Sequence, residues 1–123
     1  MPDDSKKLFI MVTNGPESPE LATLPFVMAT AAQASDVEVA MGFQGNGSTL
    51  TVKCISDHVF ASGFPKLSDL METFVEAGGK LYVCGPCVGS RQFNESELVK
   101  GATIVGAAAF VAESLAADQA LIY

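Results

Sequence analysis

Short, unbroken apolar runs alternate with helically spaced ones along most of this chain. Leu8-Phe9-Ile10-Met11-Val12 is continuous and stops at Thr13-Asn14-Gly15-Pro16, which predicts a strand buried on both faces and then a turn. From Ser18 to about Ala34 the spacing becomes helical, with Leu21, Leu24, Met28 and Ala31 on one side. Ser18 is placed to cap that helix and Pro19 to open it, while Pro25 predicts a kink or a delayed start. Val37 to Met41 reads as a second strand, Gly42 to Gly47 as a flexible loop with Gly45-Asn46-Gly47 at its tip, and Leu50 to Ile55 as a third strand with Cys54 near its end. Residues 56 to 64 read as loop. Leu67, Leu70, Met71, Phe74 and Val75 form a helical stripe that Gly78-Gly79 terminates. Lys80 to Cys84 is the next strand, Ser96 to Val99 at most a short helix, and Ala102 to Val105 a fifth strand. Ala107 to Ala116 reads as a helix and Gln119 to Tyr123 as a closing strand. This alternation, without repeats or linkers, predicts one α/β domain over residues 1–123. Its sheet is expected to be mostly parallel, with five to six strands and helices on both faces, in the manner of flavodoxin.

Composition adds two constraints. The chain is 49% hydrophobic but only 17% charged, so it can bury a full core and is left with apolar surface for a partner subunit to cover. A net charge of −7 supplies too few cations to neutralise a row of phosphates, which speaks against nucleic acid and against anionic membranes. No apolar run approaches the roughly 20 residues of a membrane span. The start, Met-Pro-Asp-Asp-Ser-Lys-Lys, does not have the form of a signal peptide, and three cysteines in that setting suggest a reducing compartment, the cytoplasm.

Chemistry concentrates at Leu81-Tyr82-Val83-Cys84-Gly85-Pro86-Cys87, followed by Arg91, the only arginine. A buried lone cysteine is usually a small hydrophobe. A pair split by Gly-Pro where the chain leaves a strand is a candidate reactive site, because turn N–H groups and a nearby cation favour thiolate. Such a site accepts sulfane sulfur or exchanges with disulfides. The four-residue string is that of thioredoxins, but Val83 stands where they carry Trp, the motif begins at residue 84 of 123, and no proline follows Pro86. Cys54 and His58 with Cys84 and Cys87 offer a third reading, a zinc ligand set of three thiolates and an imidazole. In open α/β sheets, reactive groups gather beyond the carboxyl ends of the strands, where Asn14-Gly15, Cys54 with His58, and Cys84 to Arg91 all fall. Asn14, Gly15 and Gly85 make a candidate anion or substrate pocket there. No dinucleotide fingerprint, phosphate loop or Ser-His-Asp set is present, and no cofactor is implied.

Taken whole, the chain from about Leu8 to Tyr123 resembles the DsrE/DsrF-like family of sulfur-relay proteins, which includes sulfur-oxidation DsrE proteins and the Tus tRNA-thiolation relay. The likeness rests on the opening strand with Thr13-Asn14-Gly15-Pro16-Glu17, and on Val37 to Phe43 before a Gly-rich loop. It continues with Leu67 to Gly79 ahead of Leu81-Tyr82-Val83-Cys84, with Gly101 to Gly106, and with the end Ala117 to Tyr123. The resemblance implies a small α/β domain that assembles as a trimer, tetramer or hexamer. It also implies a persulfide-carrying cysteine after the fourth strand, which falls on Cys84. Members often follow that cysteine with Arg-Gly, whereas here Arg91 precedes Gln92 and Cys87 is an addition. The expected function is a sulfur carrier or sulfurtransferase. Cys84 would take sulfur from a donor protein and pass it to an acceptor protein, assisted by Arg91 and Cys87. The alternatives are a thiol–disulfide redox module on the same pair and a zinc-stabilised interaction subunit.

Overall fold

The structure is a computed structural model that describes residues 5–123; Met1 to Asp4, the acidic part of the start discussed above, lie outside the described residues. Its strands are β1 (Lys7–Val12), β2 (Glu38–Phe43), β3 (Lys80–Cys84), β4 (Ala102–Val105) and β5 (Gln119–Ile122). Its helices are α1 (Pro19–Ala34), α2 (Leu67–Glu76), α3 (Gly85–Ser90) and α4 (Ala107–Ala116). The strands form one sheet in the order β4-β3-β2-β1-β5, and every pair is parallel.

The pleat divides the core. Ile10 and Val12 of β1 face α1 and α2, while Phe9 and Met11 between them face α4. On the first side Phe26 of α1 stacks on Phe43 at 5.8 Å and meets Phe74 of α2 edge-on at 6.1 Å. On the second, α4 contributes Phe110, whose ring lies 6.4 Å from that of Phe9. Helices thus cover both faces, as the alternation of patterns predicts.

Several expectations need correction. Leu50 to Ile55 is not a strand, so the sheet has five strands among the described residues. Residues Gly45–Thr51 wind as a 3-10 helix instead, and Val52 makes only an isolated antiparallel bridge to Leu98. The reason is local. Ser48, Thr49 and Thr51 each donate a side-chain O–H to the carbonyl three residues back, which offers this segment an alternative to a strand ladder. Leu50, fully buried, then plugs the first core from a helical turn. The flexible loop expected over Gly42 to Gly47 is absent too, since Gly42 and Phe43 extend β2. Finally, α1 starts at Pro19 without delay and runs through Pro25, which is buried between Ala22 and Phe26. Burying that ring offsets the hydrogen bond proline cannot make. Ser18 occupies the N-cap, but its hydroxyl makes no capping bond.

Candidate functional site

Cys84 is the last residue of β3 and the N-cap of α3. Leu81 and Val83 alternate with Tyr82 and Cys84, so the Cys84 side chain joins the α4 side of the sheet near Phe9, Met11 and Phe110. Gly85-Pro86 then starts the helix, since proline in a first turn forfeits no intrahelical bond. The predicted turn is therefore a short helix, and it carries Cys87 one turn beyond Cys84. Both thiols are free and partly exposed.

The 3-10 segment closes over this turn. Gly45 N–H donates to Cys87 Sγ at 3.2 Å. Arg91 ties the two pieces together, donating from Nη1 to the Cys87 carbonyl at 3.1 Å and from Nη2 to Asn46 Oδ1 at 2.8 Å. Gly47 lies so close to the end of β1 that a Cβ there would sit 2.2 Å from the Val12 carbonyl oxygen. The loop read as flexible is thus wedged between β1 and the thiol helix. Asn46 escaped sequence reasoning, although an isolated arginine always needs acceptors and the Gly-Asn-Gly tip supplies one.

Electrostatics at Cys84 run against the expectation of a favoured thiolate. Burial first, then hydrogen bonding and charge from the Cys87 side chain, push its thiol above the ordinary value of 9.0. The Cys87 backbone N–H and the Arg91 guanidinium pull the other way and do not prevail.

The remaining predicted residues are elsewhere or already engaged. Gly15 is buried, its N–H donates to the Glu17 carboxylate at 2.9 Å, and Asn14 Nδ2 reaches Thr13 Oγ1 at 3.5 Å. An internal carboxylate therefore occupies the anion position of that turn. A Cβ on Gly85 would meet Ile104 Cγ2 at 3.2 Å and the Val105 carbonyl oxygen at 3.5 Å, both on β4. Cys54 sits on an exposed turn at φ 76°, beside a cleft of about 730 Å³ lined by Met71, Val75, Val99 and Gly101. With no strand over Leu50 to Ile55 to carry it, Cys54 is not delivered to the edge that holds Cys84. His58 is an exposed residue of its own 3-10 turn. Among the described residues, no three His, Cys, Asp or Glu side chains gather to hold a metal, so the zinc set is not assembled.

An all-parallel, doubly covered sheet with a thiol pair where one strand turns into a helix defines a small α/β cysteine-site protein. The chain belongs to the DsrE/DsrF-like family, whose profile matches residues 6–122. Members of that family generally work in sulfur relay with partner proteins. Among curated proteins, it is 34% identical over 105 residues to the uncharacterized protein MJ0760 of Methanocaldococcus jannaschii, covering 85% of this chain and 38% of that protein. The chain thus spans well under half the length of this relative. It is 30% identical over 111 residues to MJ0989 of the same organism, covering 88% of this chain and 94% of that one. In fold it matches the ychN protein from E. coli with a TM-score of 0.81 at 16% identity, over 96% of this chain and 99% of that one. It matches MTH1491, a protein of unknown function from Methanobacterium thermoautotrophicum, with a TM-score of 0.67 at 12% identity, over 98% and 100%.

Proposed function

We propose that this chain is a sulfur carrier or sulfurtransferase in which Cys84 holds sulfane sulfur as a persulfide. The Cys84 thiolate attacks the outer sulfur of a donor persulfide; the new bond is Cys84 Sγ–S, the donor's S–S bond breaks, and the donor leaves as a thiol. Transfer onward repeats the exchange with an acceptor, and no net oxidation occurs. One observation carries the reading. Cys84 ends β3 at the carboxyl edge of a parallel sheet, partly exposed, in a chain of this family.

The raised Cys84 thiol has a role in this scheme. A thiol mostly protonated at neutral pH exchanges slowly with stray disulfides. Donor and acceptor are taken to be proteins, and the compartment the cytoplasm. Among the described residues no helix is long and apolar enough to cross a membrane. Val111 and Leu115 of α4 and Ile122 of β5 are 57%, 81% and 77% exposed, which supports a homo-oligomer built on that side. No cofactor is needed by the exchange.

The test is to treat the reduced chain briefly with a small persulfide and map the added mass by peptide. The expected result is a single extra sulfur on the Cys84 peptide, lost in Cys84→Ser. Sulfur retained on no peptide of the parent chain or of Cys87→Ser, with the pair cycling only as a disulfide in the parent, would favour the redox alternative.

A further inference from the structure

A carrier needs one thiol, and this chain places a second within one helical turn of it. Cys87 Sγ is not a free-swinging group. It takes the Gly45 N–H at 3.2 Å, and its helical turn is clamped to Asn46 through Arg91. Cys84 is coupled to it, since the Cys87 side chain is among the groups that push the Cys84 thiol upward. Residues three apart on a helix have Cβ atoms about 5–6 Å apart, and a disulfide needs about 3.5–4.5 Å. Cys84, as N-cap, has the extended φ −63°, ψ 115° of a residue outside the helix proper, so a small rotation at that end closes the gap.

We propose that Cys87 is a discharging thiol, which gives the chain a second activity: reductive release of the carried sulfur as hydrogen sulfide. This rests on the carrier reading above. The Cys87 sulfur attacks Cys84 Sγ of the protonated persulfide. The Cys84 Sγ–S bond breaks, a Cys84–Cys87 disulfide forms, and the outer sulfur departs with the electron pair and the Cys87 proton as hydrogen sulfide. The sulfane sulfur is reduced by two electrons, and the two cysteines are oxidised by two. An external dithiol then reduces the disulfide, becomes a disulfide itself, and returns the chain to its starting state. The net substrate classes are therefore a sulfane-sulfur donor and a dithiol.

Two attacks compete in such a pair. Attack on the outer sulfur would expel Cys84 as thiolate and merely move the persulfide to Cys87. Attack on Cys84 Sγ expels hydrosulfide. The better leaving group is the one that holds its negative charge more easily. Cys84 is partly buried beside the Phe9, Met11 and Phe110 cluster, which makes it the poorer of the two. The arrangement therefore directs attack toward release. Flux through the protein divides between handing sulfur to a docked acceptor and losing it as sulfide, according to whether an acceptor arrives before Cys87 attacks.

The experiment uses a Cys54→Ser background, so that the exposed third thiol takes no part. The reduced chain, freed of reductant, is mixed with inorganic polysulfide, passed rapidly through a desalting column, and followed by intact mass and by a sulfide probe. The expected course is a species with one extra sulfur on Cys84. This converts to a chain two hydrogens lighter than the reduced form, with a single sulfide released. In Cys87→Ser and Cys87→Ala the extra sulfur persists and sulfide release slows on the order of a hundredfold or more, since an intramolecular attack is replaced by a bimolecular one. If the parent chain keeps its extra sulfur as long as Cys87→Ser does, the discharge proposal fails and the carrier reading stands. If a disulfide forms with no sulfur-bearing Cys84 preceding it, the discharge proposal also fails. If Cys84 takes up no sulfur in any of these chains, the carrier reading itself falls.

Discussion

Substituting alanine for Gly47 tests whether the thiol site depends on the wedge between β1 and α3. A Cβ at this position would lie 2.2 Å from the Val12 carbonyl oxygen, 2.8 Å from the Val12 carbonyl carbon and 3.2 Å from Thr13 Cα. All three atoms are backbone at the end of an interior strand, so no side chain can swing aside. The same Val12 carbonyl accepts the Gln44 N–H at 3.1 Å, a bond the shift would strain. The segment must lift away, and it carries fully buried Leu50 and the Gly45 N–H that reaches Cys87. Overpacking of this kind costs about 1–3 kcal/mol, and a compromised backbone hydrogen bond adds about 1 kcal/mol. The sum is about 2–4 kcal/mol. A domain of this length loses about 4 °C of Tm per kcal/mol, so the melting temperature should fall by about 8–16 °C. Thermal unfolding followed by circular dichroism, with urea titration for the free energy, measures this directly. A Tm within about 2 °C of the parent would refute the packing described here.

Two further outcomes follow from the same geometry. The Cys84 thiol should ionise above 9.0, visible in the pH dependence of its alkylation, and Cys87→Ser should move the midpoint down toward that value, because burial remains while the hydrogen bond and charge are lost. As a thiol raised on folding, Cys84 adds stability that is present below pH 9.0 and is lost as pH rises through its higher folded value. The alkaline fall in Tm should accordingly be shallower in Cys84→Ser. Arg91→Gln and Asn46→Ala should prove non-additive in urea unfolding, with a coupling of about 0.5–1 kcal/mol from the 2.8 Å bond they share; a coupling of zero would mean that Arg91 does not clamp the loop.

What the chain announced in advance, and what it concealed, divides along physical lines. The run Leu8 to Val12 suited a strand covered on both sides, and β1 is flanked by β2 and β5 with core on each face. Cys84 at a strand end was legible for the same reason, because Leu81 to Val83 is apolar and Gly-Pro stops it. Leu50 to Ile55 misled because β-branched and apolar residues fit a strand, and nothing in periodicity reveals that three hydroxyls will each bond a carbonyl one turn back. That error displaced Cys54 and with it the zinc set. The clamp between Arg91 and Asn46 spans 45 residues of sequence, and only the fold brings such distant groups together. Burial of Cys84 was hidden as well, since whether a strand-end thiol is desolvated depends on α4 and its single buried residue, Phe110.

The central claim is that Cys84 is the thiol that holds sulfane sulfur. Cyanide converts sulfane sulfur to thiocyanate and leaves the thiol behind, so it reports a persulfide and ignores other oxidised forms. A chain with Cys84 as its only cysteine (Cys54→Ser, Cys87→Ser), loaded with polysulfide and desalted, should yield a single thiocyanate per chain, and the matching chain with only Cys87 should yield far less. Thiocyanate from the Cys87 chain and none from the Cys84 chain would contradict the account.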